Sequence, residues 1–420
     1  MCLVFFAFHR GASPAHADWP QWGGPDRNFT VETRRLADSW PEDGPKTLWS
    51  RRLGAGYSGI VSDGDVIYTM YRTDPKDHEE KVVALDAKTG ETVWEHENEA
   101  RRQVEPDERW GGLGPNSTPL IFGQRLYTVG SNALMHCFDK RDGKVLWRRD
   151  LAKDFKAPFP NERQTGFCSS PIGYRGNVIV AVGRVESNET DQTEGPSPAK
   201  SLVAFDGETG REVWKSLDFG MAFASPILIT LDGIEQLVLY SPPGLVGVDP
   251  VDGALLWSHD MPGRSVVPTP VWDGGKRIFC VIGENPLKGC VLEVIRAGDT
   301  YEVREVASSR KIRVMLPTPV PAGDYLYTAT DRILLAVDFG TGERVWAKRG
   351  FPNASCIYAD GKLIILDENG QLTLATPTPD GLTIHSQCTV TERYSLTAPT
   401  LDGTTLYVRD RRNILALDLR

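Results

Sequence analysis

Cysteine is scarce in this 420-residue chain: seven in all, no two adjacent and no Cys-x-x-Cys pair. Zinc-ribbon and thioredoxin-like chemistry therefore has nothing to build on. Positive charge is also short, with 47 Lys and Arg against 56 Asp and Glu and a net charge of −9, which argues against nucleic acid or an anionic membrane surface as the main partner. Past the first residues no apolar run approaches the ~20 needed to span a bilayer as a helix. The seven His are scattered with no His-x-x-x-His spacing, and no Gly-x-Ser-x-Gly elbow selects a nucleophile. Gly54-Ala55-Gly56 and Gly111-Gly112-Leu113-Gly114 open no helix, so neither reads as a phosphate cradle. No metal ligand set and no catalytic residue stands out.

What the chain has in abundance is one phrase, written repeatedly. Val82–Trp94 (VVALDAKTGETVW) returns as Cys137–Trp147, Leu202–Trp214, Leu245–Trp257 and Leu334–Trp346. Each copy is an apolar strand, an Asp, a turn ending in Gly, and a second strand ending in Trp. The β-branched and aliphatic residues suit a buried pleated strand. The Asp side chain bonds back to the turn, and Gly supplies the positive φ that closes it. The Trp is a large plate that a lone hairpin cannot bury, so neighbouring copies must cover it. This assigns a docking role to Trp94, Trp147, Trp214, Trp257 and Trp346, and to the turn glycines Gly90, Gly143, Gly210, Gly253 and Gly342.

An earlier half precedes each copy. Ser58–Met70, Ser117–Val129, Ser169–Val182, Ser225–Tyr240, Thr269–Ile282, Thr318–Ala329, Ser355–Leu366 and Ala398–Val408 each begin with Ser, Thr or Ala and read as strand, turn, strand. Two second halves, Val291–Val306 and Leu372–Gln387, have lost the Trp. Lys46–Arg52 looks like an outermost strand with nothing before it, and Asn413–Leu419 is an inner strand with nothing after it. The two ends complement each other and close a ring. The expected fold is all-β, an eight-bladed β-propeller whose last blade is shared by both termini, with seven blades as the alternative count.

The expected organisation is a signal peptide over residues 1–17, an irregular aromatic and Pro-rich segment over 18–45, and a single propeller over 46–420. Met1–Phe8 is apolar and Ala15-His16-Ala17 fits small-x-small cleavage, although no Lys or Arg precedes the apolar run. The mature chain is then exported to the periplasm or beyond as a soluble monomer. No Cys follows the cleavage point, so a lipid anchor there is not expected. Cys2 would leave with the leader, and of the remaining six only Cys280 and Cys290 lie near enough in sequence to suggest a disulfide. Free buried thiols fit as well.

In an up-and-down blade the first and third turns share one face. Those turns are uniformly short here. The long excursions, Arg72–Glu80, Glu97–Leu113, Leu151–Thr165 and Arg184–Lys200, are second turns and inter-blade links, so all rise from the opposite face around the first three blades. Arg109, Trp110, Asn116, Arg163 and Gln164 stand in or beside them and could line the channel mouth to hold a protein or other extracellular ligand. The plain alternative is a solvated rim.

Ala-x-Asp-x-x-Thr-Gly-x-x-x-Trp, present at Ala84–Trp94, Ala204–Trp214 and Ala336–Trp346, resembles the tryptophan-docking motif of pyrroloquinoline-quinone (PQQ)-type propellers. The opening DWPQWGGPDRNF resembles the start of mature quinoprotein alcohol dehydrogenases. The resemblance implies the ring, with each Trp packed on the Gly turn of its neighbour. It also implies two branches. One is cofactor-free and BamB-like, a non-catalytic scaffold working through protein contacts. The other oxidises alcohols or sugars with PQQ and calcium, and it carries an adjacent Cys-Cys pair that this chain lacks. The expectation is the first branch, with no cofactor; a PQQ-dependent dehydrogenase is the alternative.

Overall fold

The computed structural model describes residues 19–33, 35–73, 79–100, 114–155, 166–182, 201–218, 222–241, 244–261, 267–283, 287–392 and 394–420. Eight antiparallel sheets account for nearly all of its regular structure. From innermost to outermost strand, blade 1 runs from Val61–Asp63 to Thr92–Glu99 and blade 2 from Leu120–Phe122 to Val145–Asp150. Blade 3 runs from Ile172–Tyr174 to Glu212–Ser216, and blade 4 from Ile227–Leu231 to Leu255–Asp260. Blade 5 spans Val271–Trp272 to Thr300–Ser309, blade 6 Val320–Ala322 to Arg344–Arg349, and blade 7 Ser355–Ala359 to Gly381–Thr389. Blade 8 begins at Thr400–Asp402 and takes its outermost strand, Lys46–Arg52, from the other end of the chain, with Lys46 opposite Asp418 and Arg52 opposite Asn413. Among the described residues a single helical turn, Leu151–Phe155, follows blade 2, and no helix is long and apolar enough to cross a membrane.

One irregularity recurs in every blade. The register between third and fourth strands slips by one residue beside the same position, held by Trp94, Trp147, Trp214, Trp257, Ala307, Trp346, Ser386 and Trp49 in turn. A bulge of this kind re-aims the side chain next to it. It also finds the two copies without Trp: Ala307 and Ser386 stand where the indole would.

The indoles seat on the next blade. A methyl added to Gly90, Gly143, Gly210 or Gly253 would lie 2.5–2.7 Å from a ring atom of Trp49, Trp94, Trp147 or Trp214, respectively. The indole N–H of Trp49, Trp94 and Trp147 donates to the carbonyls of Ala87, Lys140 and Gly207 in those turns, at 2.9–3.0 Å. Trp257 differs. Its N–H donates to Gln236 Oε1 of its own blade at 2.7 Å and its ring covers Gly247. The cause is the next hairpin: Lys288–Ala297 and Thr300–Ser309 are ten residues each, which carries the tip at Gly298 clear of any neighbour. Gly342 meets the methyl of Ala307 instead of an indole, and Trp346 reaches the carbonyl of Thr378 in the long hairpin of blade 7.

Ser and Thr at or near the start of five first halves stitch neighbouring innermost strands together. Thr118 Oγ1 accepts the Gly59 N–H (3.2 Å), Ser170 Oγ that of Thr118 (3.0 Å) and Ser225 Oγ that of Ser170 (2.9 Å). Thr318 Oγ1 takes the N–H of Thr269, and Thr400 Oγ1 donates to the Ile60 carbonyl, closing blade 8 onto blade 1. An innermost strand is an open edge with unpaired backbone groups; four of these hydroxyls accept an N–H there and Thr400 donates to a carbonyl. The thiols of Cys280 and Cys290 are free, although the two residues lie opposite each other on neighbouring strands of blade 5.

Two outcomes follow. Gly143→Ala forces a β-carbon into the Trp94 ring at φ +72°, whereas Gly64→Ala (φ +60°) meets open space. The first should lose about 2–4 kcal/mol in urea unfolding and the second about 1 kcal/mol. His136 is buried between His96 and Phe138, and burial, with the charges of His96 and Arg148, pulls its pKa down to about 4. The unfolded imidazole binds a proton near pH 6.5 while the folded one resists. Stability is therefore full above pH 6.5 and falls as pH drops toward 4, by roughly 3 kcal/mol at full effect. Urea midpoints of His136→Gln across that window should decline less steeply than those of the parent.

Candidate functional site

On the long-loop face the described residues form the roots of the excursions. Arg72, directly after the second strand of blade 1 (Val66–Tyr71), donates to Glu80 Oε1 from Nε (3.2 Å) and Nη2 (2.8 Å), both side chains buried. Nη2 also reaches Ser131 Oγ at 2.8 Å, and the Ser131 N–H donates to Glu80 Oε2 at 2.9 Å. The Ser131 carbonyl takes the Phe167 N–H at 3.0 Å, and a methyl on Gly166 would strike it. Ser131 of blade 2 thus joins both ends of the 72–80 excursion to the end of the 151–165 one. A buried ion pair with its remaining valences filled holds geometry rather than adding much net stability.

Nearby, Arg409 of blade 8 is buried and donates to the carbonyls of Ser58, Met70 and Gly54 and to Thr69 Oγ1, at 2.9–3.3 Å. Burial draws its pKa down to about 10. Asn116 is half-buried where the Tyr57 N–H meets the Pro115 carbonyl and Ser58 Oγ donates to the Ser117 carbonyl, the seam between blades 1 and 2. Arg109, Trp110, Arg163 and Gln164 lie outside the described residues. Of the five side chains expected at this mouth, Asn116 alone has a described place.

The opposite face carries a feature the sequence left as an irregular lead-in. Residues 19–33 and 35–37 run across the central channel and touch seven blades. The Ser62 N–H donates to the Trp19 carbonyl and the Ile121 N–H to that of Pro20. Arg27 Nη1 donates to the Pro171 carbonyl and Trp22 Nε1 to Thr269 Oγ1. Thr30–Val31 adds a parallel strand inside blade 7, Thr30 Oγ1 donates to the Pro321 carbonyl, and Thr33 Oγ1 donates to that of Gly403. Trp22 and Phe29 meet edge to face with centroids 5.1 Å apart. The segment then leaves as a spoke between blades 7 and 8: Ala37 N–H to the Leu419 carbonyl, Trp40 to Ser386 Oγ, and Gly44 against Cys388. It ends where Lys46–Arg52 must begin.

Comparison with known proteins places this architecture. A family profile described as outer membrane protein assembly factor BamB matches residues 78–348, well over half of the chain. The chain belongs to this family. BamB of Moranella endobia (strain PCIT) is 22% identical over 313 residues, 71% of this chain and 74% of that protein. The quinohemoprotein alcohol dehydrogenase ADH-IIG of Pseudomonas putida is 24% identical over 171 residues, 40% of this chain but only 20% of the dehydrogenase. The crystal structure of the Comamonas testosteroni quinohemoprotein alcohol dehydrogenase superposes with a TM-score of 0.50 at 11% identity, covering 96% of this chain and 80% of that one. That likeness is one of fold alone.

The described residues of this BamB-family chain do not fit a quinone with calcium. No group of three or more His, Cys, Asp or Glu converges among them to supply a cation's donors. The channel end that residues 19–33 occupy is filled by Trp19, Trp22 and Phe29. The signal for that filling was present in the sequence, as two Trp, a Gly-Gly pair and a Phe within eleven residues of Asp18. Gly23 and Gly24 adopt φ of +74° and +80°, and a methyl on Gly24 would press on the Trp19 ring. Trp19→Ala should cost about 3–5 kcal/mol in chemical unfolding while the transition stays single. An independent early transition would mean that the segment is merely draped over the ring.

Proposed function

We propose that the chain is an exported, non-catalytic propeller that acts in outer membrane protein assembly by binding a protein on its long-loop face. On this reading residues 1–17 are a leader, 18–45 the channel-crossing spoke, and 46–420 the propeller, working as a soluble monomer in the periplasm. The observation that carries it is the match of residues 78–348 to the BamB family. The gathering of excursion roots at Ser131 adds support, since it holds long loops on a rigid ring as a recognition surface requires. Arg109, Trp110, Asn116, Arg163 and Gln164 supply side chains of the kinds that anchor protein interfaces, Arg and Trp above all.

The test is genetic and biochemical. Deleting the gene should lower the amount of folded outer-membrane β-barrel protein, and a plasmid copy should restore it. A copy carrying Arg109→Ala, Trp110→Ala and Arg163→Ala should fail to restore it, with loss of roughly 2 kcal/mol of partner binding per anchor and an unchanged melting temperature. Full complementation by that triple variant would sink the surface assignment. Added PQQ and calcium should give no saturable quinone absorbance and no dye-linked oxidation of alcohols or sugars; a saturable signal would replace the scaffold with the dehydrogenase.

A further inference from the structure

Charge is divided unevenly between the two faces of the ring. Every blade places at least one Asp in or beside its short turns, so carboxylates surround that face. Over blades 5 and 6 the opposite face reverses the balance. The link leaving blade 5, residues 309–314, carries Arg310, Lys311 and Arg313. The second turn of blade 6 carries Arg332, and the end of its outermost strand Arg349. All five are exposed, and Asp331 is the single carboxylate in these segments. Among the described residues none of the five enters an ion pair. Elsewhere on blade 5 the cations are matched: Arg304 sits on Glu293 and Lys288 reaches Glu305. The strip ends at blade 7, where Glu368 takes the Asn353 side-chain amide at 2.9 Å.

Packing keeps these cations on the outside. Exposed and buried residues alternate along 311–314: Ile312 and Val314 are buried in the core shared by blades 4, 5 and 6, which leaves Lys311 and Arg313 in solvent. The Ile312 carbonyl accepts the Gly289 N–H at 2.8 Å, and Arg313 Nε donates to the Arg310 carbonyl at 3.2 Å. Ile333, next to Arg332, packs on that same core, so the turn of blade 6 and the link from blade 5 share one support. The Arg332 carbonyl takes the N–H groups of Gly350 (3.1 Å) and Phe351 (3.4 Å), which ties the turn to the strand end that bears Arg349. Like charges gathered on a backbone fixed in this way raise the local potential, and a ligand rich in carboxylates lowers it.

We propose that this basic strip docks an acidic segment of a protein partner, whose Asp and Glu carboxylates meet Arg310, Lys311, Arg313, Arg332 and Arg349. The inference rests on the reading of the long-loop face as the binding face, and it adds the sector and the charge of the partner. The carboxylates around the short turns repel the same segment, so they turn the partner away from the wrong face. An anionic membrane would also offer negative charge. It is an extended surface that meets the whole chain's net charge of −9, whereas a short segment meets the strip alone, since screening confines each charge to about 8 Å at physiological salt.

The experiment titrates the full chain, by fluorescence anisotropy, into a labelled peptide Asp-Glu-Phe-Glu-Asp-Leu-Glu-Glu and into its counterpart with Asn and Gln at the acidic positions. The acidic peptide should bind saturably, about tenfold tighter than the amide peptide at low salt, and weaken as salt rises. The variant Arg310→Ala, Lys311→Ala, Arg313→Ala, Arg332→Ala should lose about tenfold in affinity for it at an unchanged melting temperature. Lys144→Ala with Arg344→Ala, at the short-turn ends of their blades, should lose nothing. Arg310→Lys, Arg313→Lys and Arg332→Lys together keep the charge and should keep the binding. Equal binding of the two peptides by the parent chain would overturn the proposal, as would full binding by the folded quadruple variant. Vesicles of phosphatidylcholine with phosphatidylglycerol form the last arm, and stronger capture there than by the acidic peptide would also overturn it. Complementation decides the rest: a deletion without effect on outer-membrane β-barrel protein removes the assembly reading and leaves the peptide results standing. Loss of acid selectivity while the parent chain still complements removes the strip alone.

Discussion

The structure depends on how closely one sheet can approach the next, and that distance is set by an indole resting on a residue with no side chain. Twisted four-stranded sheets do not tile a circle by themselves; each needs a wedge on one side and a seat on the other. Trp94 on Gly143 and Trp147 on Gly210 supply both, and the indole N–H fixes the ring against a turn carbonyl. The bulge beside the Trp is part of the same device, because the slip in register turns that one side chain out of the sheet's alternation toward the neighbour. The bulge survives even where the indole is gone, at Ala307 and Ser386. Sheet geometry is therefore the more basic constraint, and the plate that fills the gap can be exchanged.

Those exchanges show what the gap requires. Beside Ala307 the sheets meet with a methyl on Gly342. Beside Ser386 the hydroxyl exchanges hydrogen bonds with the backbone of Trp40, so an aromatic residue from the N-terminal spoke enters the seam that an outer-strand Trp would have filled. Blade 5 also carries the longest third and fourth strands, ten residues each, and blade 7 the next longest fourth strand, nine residues. Their hairpin tips extend past the ring, so the preceding Trp257 and Trp346 find other partners: a Gln of the same blade and a strand-end carbonyl.

Much of this was legible in the sequence because the repeat is short and its turn chemistry explicit. Asp86, Asp139, Asp206, Asp249 and Asp338 each accept backbone N–H groups within their own turn, the role their spacing implies. Ring closure by Lys46–Arg52 against Asn413–Asp418 followed from two half-repeats at opposite ends. The destination of residues 19–33 and 35–37 was not legible. Their contacts lie up to 370 residues away in sequence and follow no period, since each blade offers the segment a different atom. Arg27 escaped notice for the same reason: an Arg in a polar, Pro-rich stretch reads as solvated, and only the fold drives it under Pro171. At the long-loop face the sequence could mark loops by length, but loop paths are set by tertiary contacts that no local pattern encodes.

The two faces answer different physical demands. A ring closed by pairing both termini is most easily opened at the seam where the chain ends meet, and a spoke from the channel to that seam ties it to blades on the far side. Trp19 and Pro20 hold blades 1 and 2, Arg27 holds blade 3, Trp22 holds blade 5, and Ala37 holds the last strand of blade 8. Opening the seam therefore strains contacts around most of the circumference, which makes the closure cooperative rather than local. That bracing occupies the short-turn end of the channel with aromatic rings. On the opposite face Ser131 joins the roots of the 72–80 and 151–165 excursions. The brace and the Ser131 junction therefore sit at opposite ends of the ring, one tying the closure seam and the other tying blade 1 to blade 2.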